Sequence, residues 1–413
     1  MAPAEQSPRR ISLQQPDELL RWIAADHAVL DLDRLQGVDI WGLVALAAIV
    51  RGDAAPDLQV RVGTGGASRF AHAVGYRSLT EGVPSTARPE PNRTVPLRSL
   101  EQFPQVEPTA REIAELLLQS DEHAEVRRTI HYVLVELLRN VVQHSRDRRG
   151  AVVAAQIMRE GPYHDQPAIQ VGVADCGIGI PASLSHRYPD LSSAEEALDK
   201  ARWPYVSGTF GDGLTGSRRN AGMGLFFISE MAKLTASRLL IATRGASFYL
   251  RGDPDTPGAH RAEFLRPDGV GFPGTLVAFE LPFETAAQDY DGMIRVITRR
   301  AKDRTPQRAT SGWFRYDEPV PADAQKFLIT VAAEDTVAAE RFSETVLQPA
   351  VLRGKPLVLA FSNLPVATQS YLHSLLFEVV RLAWAKRVPI YITHARPAVR
   401  SSLELLEQYA LGG

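Results

Sequence analysis

The chain has 413 residues, 45% hydrophobic and 23% charged, with a formal net charge of -2. That is the make-up of a soluble globular protein, and nothing in it points to nucleic acid or an anionic membrane as a partner. One cysteine, Cys176, excludes an internal disulfide framework and cysteine-rich metal sites.

The length suggests about two to three domains, each able to bury a core. The first residues, Met1 to Gln6, contain no apolar signal-peptide core. The longest apolar segment, Ile40 to Val50, falls well short of the roughly 20 residues a membrane helix needs. A cytoplasmic protein with no membrane contact is therefore expected.

From Ile11 to about Leu79 the pattern predicts strand (28–32), helix (41–50), strand (58–62) and helix (67–74), a small α/β layer. Residues 80–108 carry Pro84, Pro89, Pro91, Pro96, Pro104 and Pro108 and predict a linker without regular structure. A helix is expected from Ala110 to Gln119, then a longer one from about His123 to His144, whose apolar positions recur every three or four residues. Two strands follow, 151–158 and 168–174. Pro181 to Ala221 shows no clear period. A helix (222–235), two strands (238–243 and 274–282) and a helix (285–302) complete the middle of the chain. After a second linker, 303–324, strands near 327–331, 356–361 and 389–393 alternate with helices at 336–352, 368–386 and 399–409.

Three short pieces of the middle region carry chemistry. Glu136, Asn140 and His144 recur at four-residue spacing, so one flank of the long helix presents all three. A carboxylate there can deprotonate a water or hydroxyl, and a neutral amide oxygen suits magnesium; the plain alternative is a solvated polar face, with His144 as a favourable end charge. Asp175 ends an apolar strand and is followed by Gly177 and Gly179, so a carboxylate and a close-approaching backbone stand together. Gly222 and Gly224, with Leu225, open a helix whose free amides suit phosphate, and Arg218 and Arg219 precede them. The run Gly211, Gly213, Gly216 spells G-x-G-x-x-G, but polar residues follow it instead of a helix, which argues against a dinucleotide fingerprint. Cys176 reads as a space-filler because no base partners it.

Glu136-x-x-x-Asn140, Asp175-x-Gly177-x-Gly179, Gly222-x-Gly224-Leu225 and Gly274-Thr275, in this order, resemble the N box, G1 box, G2 box and closing G-T element of the GHKL (Bergerat-fold) ATPase superfamily. This superfamily includes Hsp90, histidine kinases and anti-sigma-factor serine kinases. The resemblance implies a central α/β sandwich, a mixed sheet covered by helices, and ATP with Mg2+ as cofactors. It implies Asn140 as magnesium ligand, Asp175 on the adenine amine with Thr275 in support, and room for base and sugar at Gly177 and Gly179. It puts Gly222, Gly224 and Leu225 near the phosphates, makes about 181–221 an ATP lid with Arg218 and Arg219 reaching the phosphates, and makes Glu136 the base.

Residues 326–413 resemble a STAS-like domain, and 11–80 a more distant one. The domain divisions that follow are 1–100 (STAS-like α/β plus Pro-rich linker), 101–303 (GHKL ATPase) and 304–413 (linker plus STAS-like domain). Near the start of helices in the flanks, Asp39 to Leu43 offers no hydroxyl, while Thr368 and Ser370 do; those two also read as helix N-cap residues. Three functions fit: an ATP-dependent switch signalling to a protein partner through the STAS-like domains, a serine/threonine kinase, or a scaffold that only binds ATP. A second copy of the chain is one partner compatible with this scheme. A histidine kinase is disfavoured, because a Pro-rich linker and an α/β segment stand where that class carries its phosphoacceptor hairpin.

Overall fold

The computed structural model describes residues 8–25, 29–52, 58–84, 90, 92–118, 121, 124–159, 166–206, 222–253, 255–256, 258–265, 270–283, 289–304, 312–329, 335–362, 364 and 366–411. They cluster into two compact units. One holds 1–127, 137–201 and 229–287; the other holds 128–136, 202–228 and 288–413.

The first unit begins with short elements: β1 (Arg10–Ile11), α1 (Asp17–Ala24), β2 (Val29–Asp31), β3 (Gly37–Val38), α2 (Ile40–Arg51), β4 (Gln59–Arg61), α3 (Gly66–Ala73) and α4 (Tyr76–Glu81). Their strands form two separate parallel pairs, β1 with β3 and β2 with β4. Next come β5 (Thr94–Leu100), α5 (Val106–Leu117), α6 (Ala124–His144), β6 (Ala151–Met158), β7 (Ala168–Asp175), α7 (Gly179–Leu184), α8 (Ala194–Ala201), α9 (Gly224–Leu234), β8 (Arg238–Thr243), β9 (Ala246–Gly252), β10 (His260–Phe264) and β11 (Thr275–Pro282). Helices α6 and α9 contribute residues to both units.

Seven strands make one sheet in the order β10-β9-β8-β11-β7-β6-β5. Every neighbouring pair is antiparallel, so the sheet is not the mixed one expected. Strand β7 is buried at all eight positions, which explains why its sequence shows no polar alternation. One of its covers is α2, whose residues Ile40 to Ile49 are all buried. A helix apolar all round must be enclosed, and α2 lies between the N-terminal elements and strands β6 and β7. The approach is closest at Gly172: a Cβ there would lie 2.8 Å from the Trp41 Cα.

One polar set is enclosed beside this helix. Asp39 accepts from the Leu13 amide at 3.1 Å, the Gln170 side-chain amide at 3.3 Å and the Arg10 guanidinium at 3.5 Å. Gln170 also donates to Glu280 at 2.9 Å, and Glu280 is ion-paired with Arg238. A buried carboxylate with these donors satisfies the rule that enclosed charge must be paired.

Two expectations fail in this unit. The stretch 80–108 is not free of regular structure, since β5 occupies its middle and contains Pro96. β5 is an edge strand, and its register to β6 shifts between Val95 and Arg98. An edge and a bulge are the places where a strand tolerates a residue with no N–H. The stretch 181–221 is not uniformly irregular either, because α7 and α8 occupy part of its described portion. Strands β9 and β10 have no counterpart in the sequence reading; β10 is an edge strand, largely exposed and polar.

The second unit includes α10 (Tyr290–Asp303), β12 (Phe314–Tyr316), β13 (Gln325–Leu328), α11 (Thr336–Phe342), α12 (Gln348–Leu352), β14 (Leu357–Ala360), α13 (Gln369–Lys386), β15 (Ile390–Thr393) and α14 (Pro397–Leu411). A π turn, Ser343–Leu347, joins α11 to α12. The four strands are parallel, in the order β12-β15-β14-β13. Helix α14 lies against α13 and α10. β12 falls inside the expected second linker; the adjacent Trp313 and Phe314 amides donate to Glu407. The chain as a whole is mixed α/β. Among the described residues no helix is long and apolar enough to cross a membrane.

Candidate functional site

Strand β7 delivers Asp175 into a loop held by Asp147, Ser145, Arg244 and Thr243. The Gly177 amide donates to Asp175 Oδ1 at 2.8 Å, and the Cys176 amide to Asp147 Oδ2 at 2.9 Å. The Ile178 amide donates to the Ser145 carbonyl at 2.8 Å. Arg244 donates twice to the Gly177 carbonyl, at 2.9 and 3.2 Å. The Ile180 amide donates to Thr243 Oγ1 at 2.9 Å, and that hydroxyl donates to the Gly274 carbonyl at 2.9 Å. Thr243 thus ties the loop to the start of β11. Register puts Thr275 directly opposite Asp175 on one side and opposite Thr243 on the other. Opposite residues of antiparallel strands share a face, so the three side chains form a row.

The glycines are dictated by the protein's own backbone. A Cβ at Gly177 would lie 1.9 Å from the Ser145 carbonyl oxygen, and one at Gly274 would lie 2.1 Å from that of Asp175. Gly179 has a φ of 75° and would meet Thr243 Oγ1 at 2.9 Å. Their lack of side chains lets the end of α6, β8 and β11 close on the loop.

Asp175 is buried, at 1% exposure, and its Oδ2 has no hydrogen-bond partner. Burial pushes its carboxyl up to about 7, with the Asp147 charge adding to the rise and the Gly177 and Thr275 backbone amides and Arg244 pulling against it. A buried carboxylate oxygen left without a donor carries a desolvation cost that a ligand N–H would remove. The Cys176 thiol touches the Ala48 carbonyl at 3.3 Å and burial pushes it up to about 12, so it stays protonated and fills space. Burial pushes His144 down to about 4, so it is neutral at pH 7 and not the end charge considered from sequence.

Asn140, on α6, is half-buried. Among the described residues no cluster of three or more His, Cys, Asp or Glu side chains could hold a metal ion. A magnesium ion carried by Asn140 would therefore take its other ligands from phosphates and water, as this ion commonly does.

In the second unit, Gly222 has a φ of 64° and lies against Val206, whose amide donates to the Gly222 carbonyl at 3.1 Å. Gly224 and Leu225 begin α9. Arg218 and Arg219 lie outside the described residues. Glu136 is 1% exposed, so it is not on a solvated helix face. Its Oε2 accepts from the Ser370 hydroxyl at 3.2 Å, across 234 positions of sequence. Thr368 caps α13, accepting from the Tyr371 amide at 3.2 Å. The two hydroxyls of this helix start therefore do different things. Thr243, Arg244, Asp147 and Ser145 were missed from sequence, because each acts through a contact with a distant loop and none belongs to a short motif.

A family described as the histidine kinase-like ATPase domain matches residues 100–239. The match supports a GHKL-type ATPase. It spans Glu136, Asn140, the Asp175 loop and Gly222 to Leu225, and ends before Thr275. No curated protein and no solved structure matches the chain.

Proposed function

We propose that the chain is an ATP-binding switch of the GHKL type. The observation that carries this is the unpartnered Oδ2 of buried Asp175, beside Thr275 in a loop fixed by Thr243 and Arg244. An exocyclic amine is the donor this oxygen lacks. Asn140 would hold magnesium, which on binding neutralises phosphate charge. The phosphate-binding role of Gly222, Gly224, Leu225, Arg218 and Arg219 rests on the resemblance alone, in which a glycine-rich helix start and cations suit phosphate. Nucleotide binding would then act on the stretch from 181 to 221, the lid that the resemblance implies, and alter what the flanking STAS-like segments present to a protein partner or to a second copy of the chain.

Titration of ATP with and without magnesium tests this. Asn140→Ala should abolish the magnesium-dependent part, and Asp175→Ala should weaken binding of ATP and ADP. Unchanged affinity in both variants sinks the assignment.

A second function, serine phosphorylation within the chain, is favoured by one contact. Ser370 already donates to Glu136, the arrangement of a nucleophile on its base. Glu136 would take the hydroxyl proton as Ser370 Oγ bonds to the γ-phosphorus and the bond to the β-phosphate oxygen breaks, releasing ADP. The phosphoserine would lie in the first turn of α13, where the helix dipole favours negative charge. Incubation with γ-labelled ATP followed by peptide mapping separates the outcomes. Label on Ser370, lost in Ser370→Ala and Glu136→Gln, establishes transfer. Free phosphate with no labelled protein establishes hydrolysis, and neither leaves a protein that only binds ATP.

A further inference from the structure

The polar row through Gln170 and Glu280 continues across the sheet as arginines. Arg238 on β8 is directly opposite Arg251 on β9, and Arg251 is directly opposite Arg261 on β10. Like charges placed opposite one another in a sheet are destabilising. Edge strands often carry cations to discourage association, which accounts for Arg261. It does not account for Arg238, which lies two strands inward with its side chain only 14% exposed.

These arginines form one wall of a cleft of about 620 Å³, and Arg9, Arg10 and Gln36 stand on the other. Acidic residues already engage three of the five cations. Arg238 pairs with Glu280, Arg10 with Asp39 at 3.5 Å, and Arg261 with Glu263 at 3.1 Å. Among the described residues, Arg9 and Arg251 have no carboxylate partner. A second hollow of about 550 Å³ adjoins the first and shares Gln14, Tyr249 and Glu263 with it; Pro16, Phe264 and Leu265 give it an apolar wall. The combined site has a cationic end and a mixed end, where Pro16, Phe264 and Leu265 stand beside Glu263 and the Asp17–Arg21 ion pair, so a ligand with a charged head and an uncharged part can be oriented in it. Guanidinium groups suit phosphate because their forked donors match its oxygens. An extended polyanion is disfavoured, because Glu18 and Glu263 interrupt the positive lining.

We propose that this cleft binds a small organic phosphate bearing at least two negative charges. Arg9 and Arg251 contact the phosphoryl oxygens, Arg238 and Arg261 complete the positive wall, and the uncharged part of the ligand lies against Phe264 and Leu265. The site is separate from the Asp175 loop and does not depend on ATP binding there.

The test is calorimetric titration of the full chain with inorganic tripolyphosphate, in the presence of EDTA to remove magnesium. The wild type should bind saturably. Arg9→Gln/Arg251→Gln, both at exposed positions, should bind at least about tenfold more weakly, since each lost hydrogen bond to a charged group is substantial. Asn140→Ala should bind as wild type does, which separates this cleft from the proposed ATP site. Arg261→Gln alone, at the exposed edge, gives a second check and should weaken binding by a smaller factor. Absence of saturable binding to the wild type would overturn the proposal. So would equal affinity in the double variant, loss of binding in Asn140→Ala, or much tighter binding of a single-stranded oligonucleotide than of tripolyphosphate.

Discussion

Replacing Asp175 with Asn tests the electrostatics of the loop with little change of shape. Burial raises this carboxyl from 3.8 to about 7. The folded state therefore holds the proton more tightly than the unfolded chain does. Between those two values the folded protein binds more protons, so stability falls as pH rises and the loss is complete above about pH 7. About three pKa units at about 1.4 kcal/mol each give up to about 4 kcal/mol of destabilisation at pH 8. Asn keeps an acceptor for the Gly177 amide and carries no charge at any pH. Without nucleotide, Asp175→Asn should unfold at higher denaturant than wild type at pH 8, and the gap should shrink as pH falls towards 4. Urea titrations of both proteins at four pH values provide the measurement. A gap that is flat with pH, or a less stable variant at pH 8, would refute the electrostatic reasoning. The same shift predicts that nucleotide affinity declines below about pH 7, where the carboxyl takes up a proton and the acceptor is lost.

Three further substitutions probe the frame. Thr243→Val should cost about 1–3 kcal/mol for each of the two groups it strands, the Ile180 amide and the Gly274 carbonyl, and hydrogen exchange should rise at Ile180. Gly172→Ala forces a Cβ against the Trp41 backbone and should cost about 1–3 kcal/mol by chemical denaturation, with no loss of secondary structure by circular dichroism. Asp39→Ala leaves the Leu13 amide and the Gln170 side chain without their shared acceptor; a loss of about 3–5 kcal/mol is expected, and Asp39→Asn should lose less. A near-neutral Asp39→Ala would mean that water replaces the carboxylate.

The sequence made the strands at 151–158 and 238–243 legible to the residue, because short, mostly apolar runs bounded by turns have few other solutions. Helix α6 was legible from its three- and four-residue period. Asp175 and Thr275 were each picked out from motifs, and the register places them side by side. Strand β5 was hidden by Pro96, since proline is evidence against a strand unless one knows that the position is at an edge and a bulge. β10 was hidden by its polar composition, which an exposed edge permits. The role of α2 was not legible, because its all-round apolarity says that it is enclosed without saying by what. Thr243 and the Ser370–Glu136 contact belong to the same class. Each joins residues far apart in the chain, and a local pattern holds no record of such a partner.

The position of β11 has a consequence for synthesis. It is inserted between β7 and β8, although it follows both in the chain. As the polypeptide leaves the ribosome, β7 and β8 each emerge with an open edge. Neither edge can close until residue 282 is available, and the pairing of Asp175 with Thr275 spans 100 positions. Open, apolar strand edges invite pairing with other chains, and long-range pairings form slowly. The half-made protein is thus the form most exposed to aggregation, and slow translation just before residue 275 would prolong that exposure.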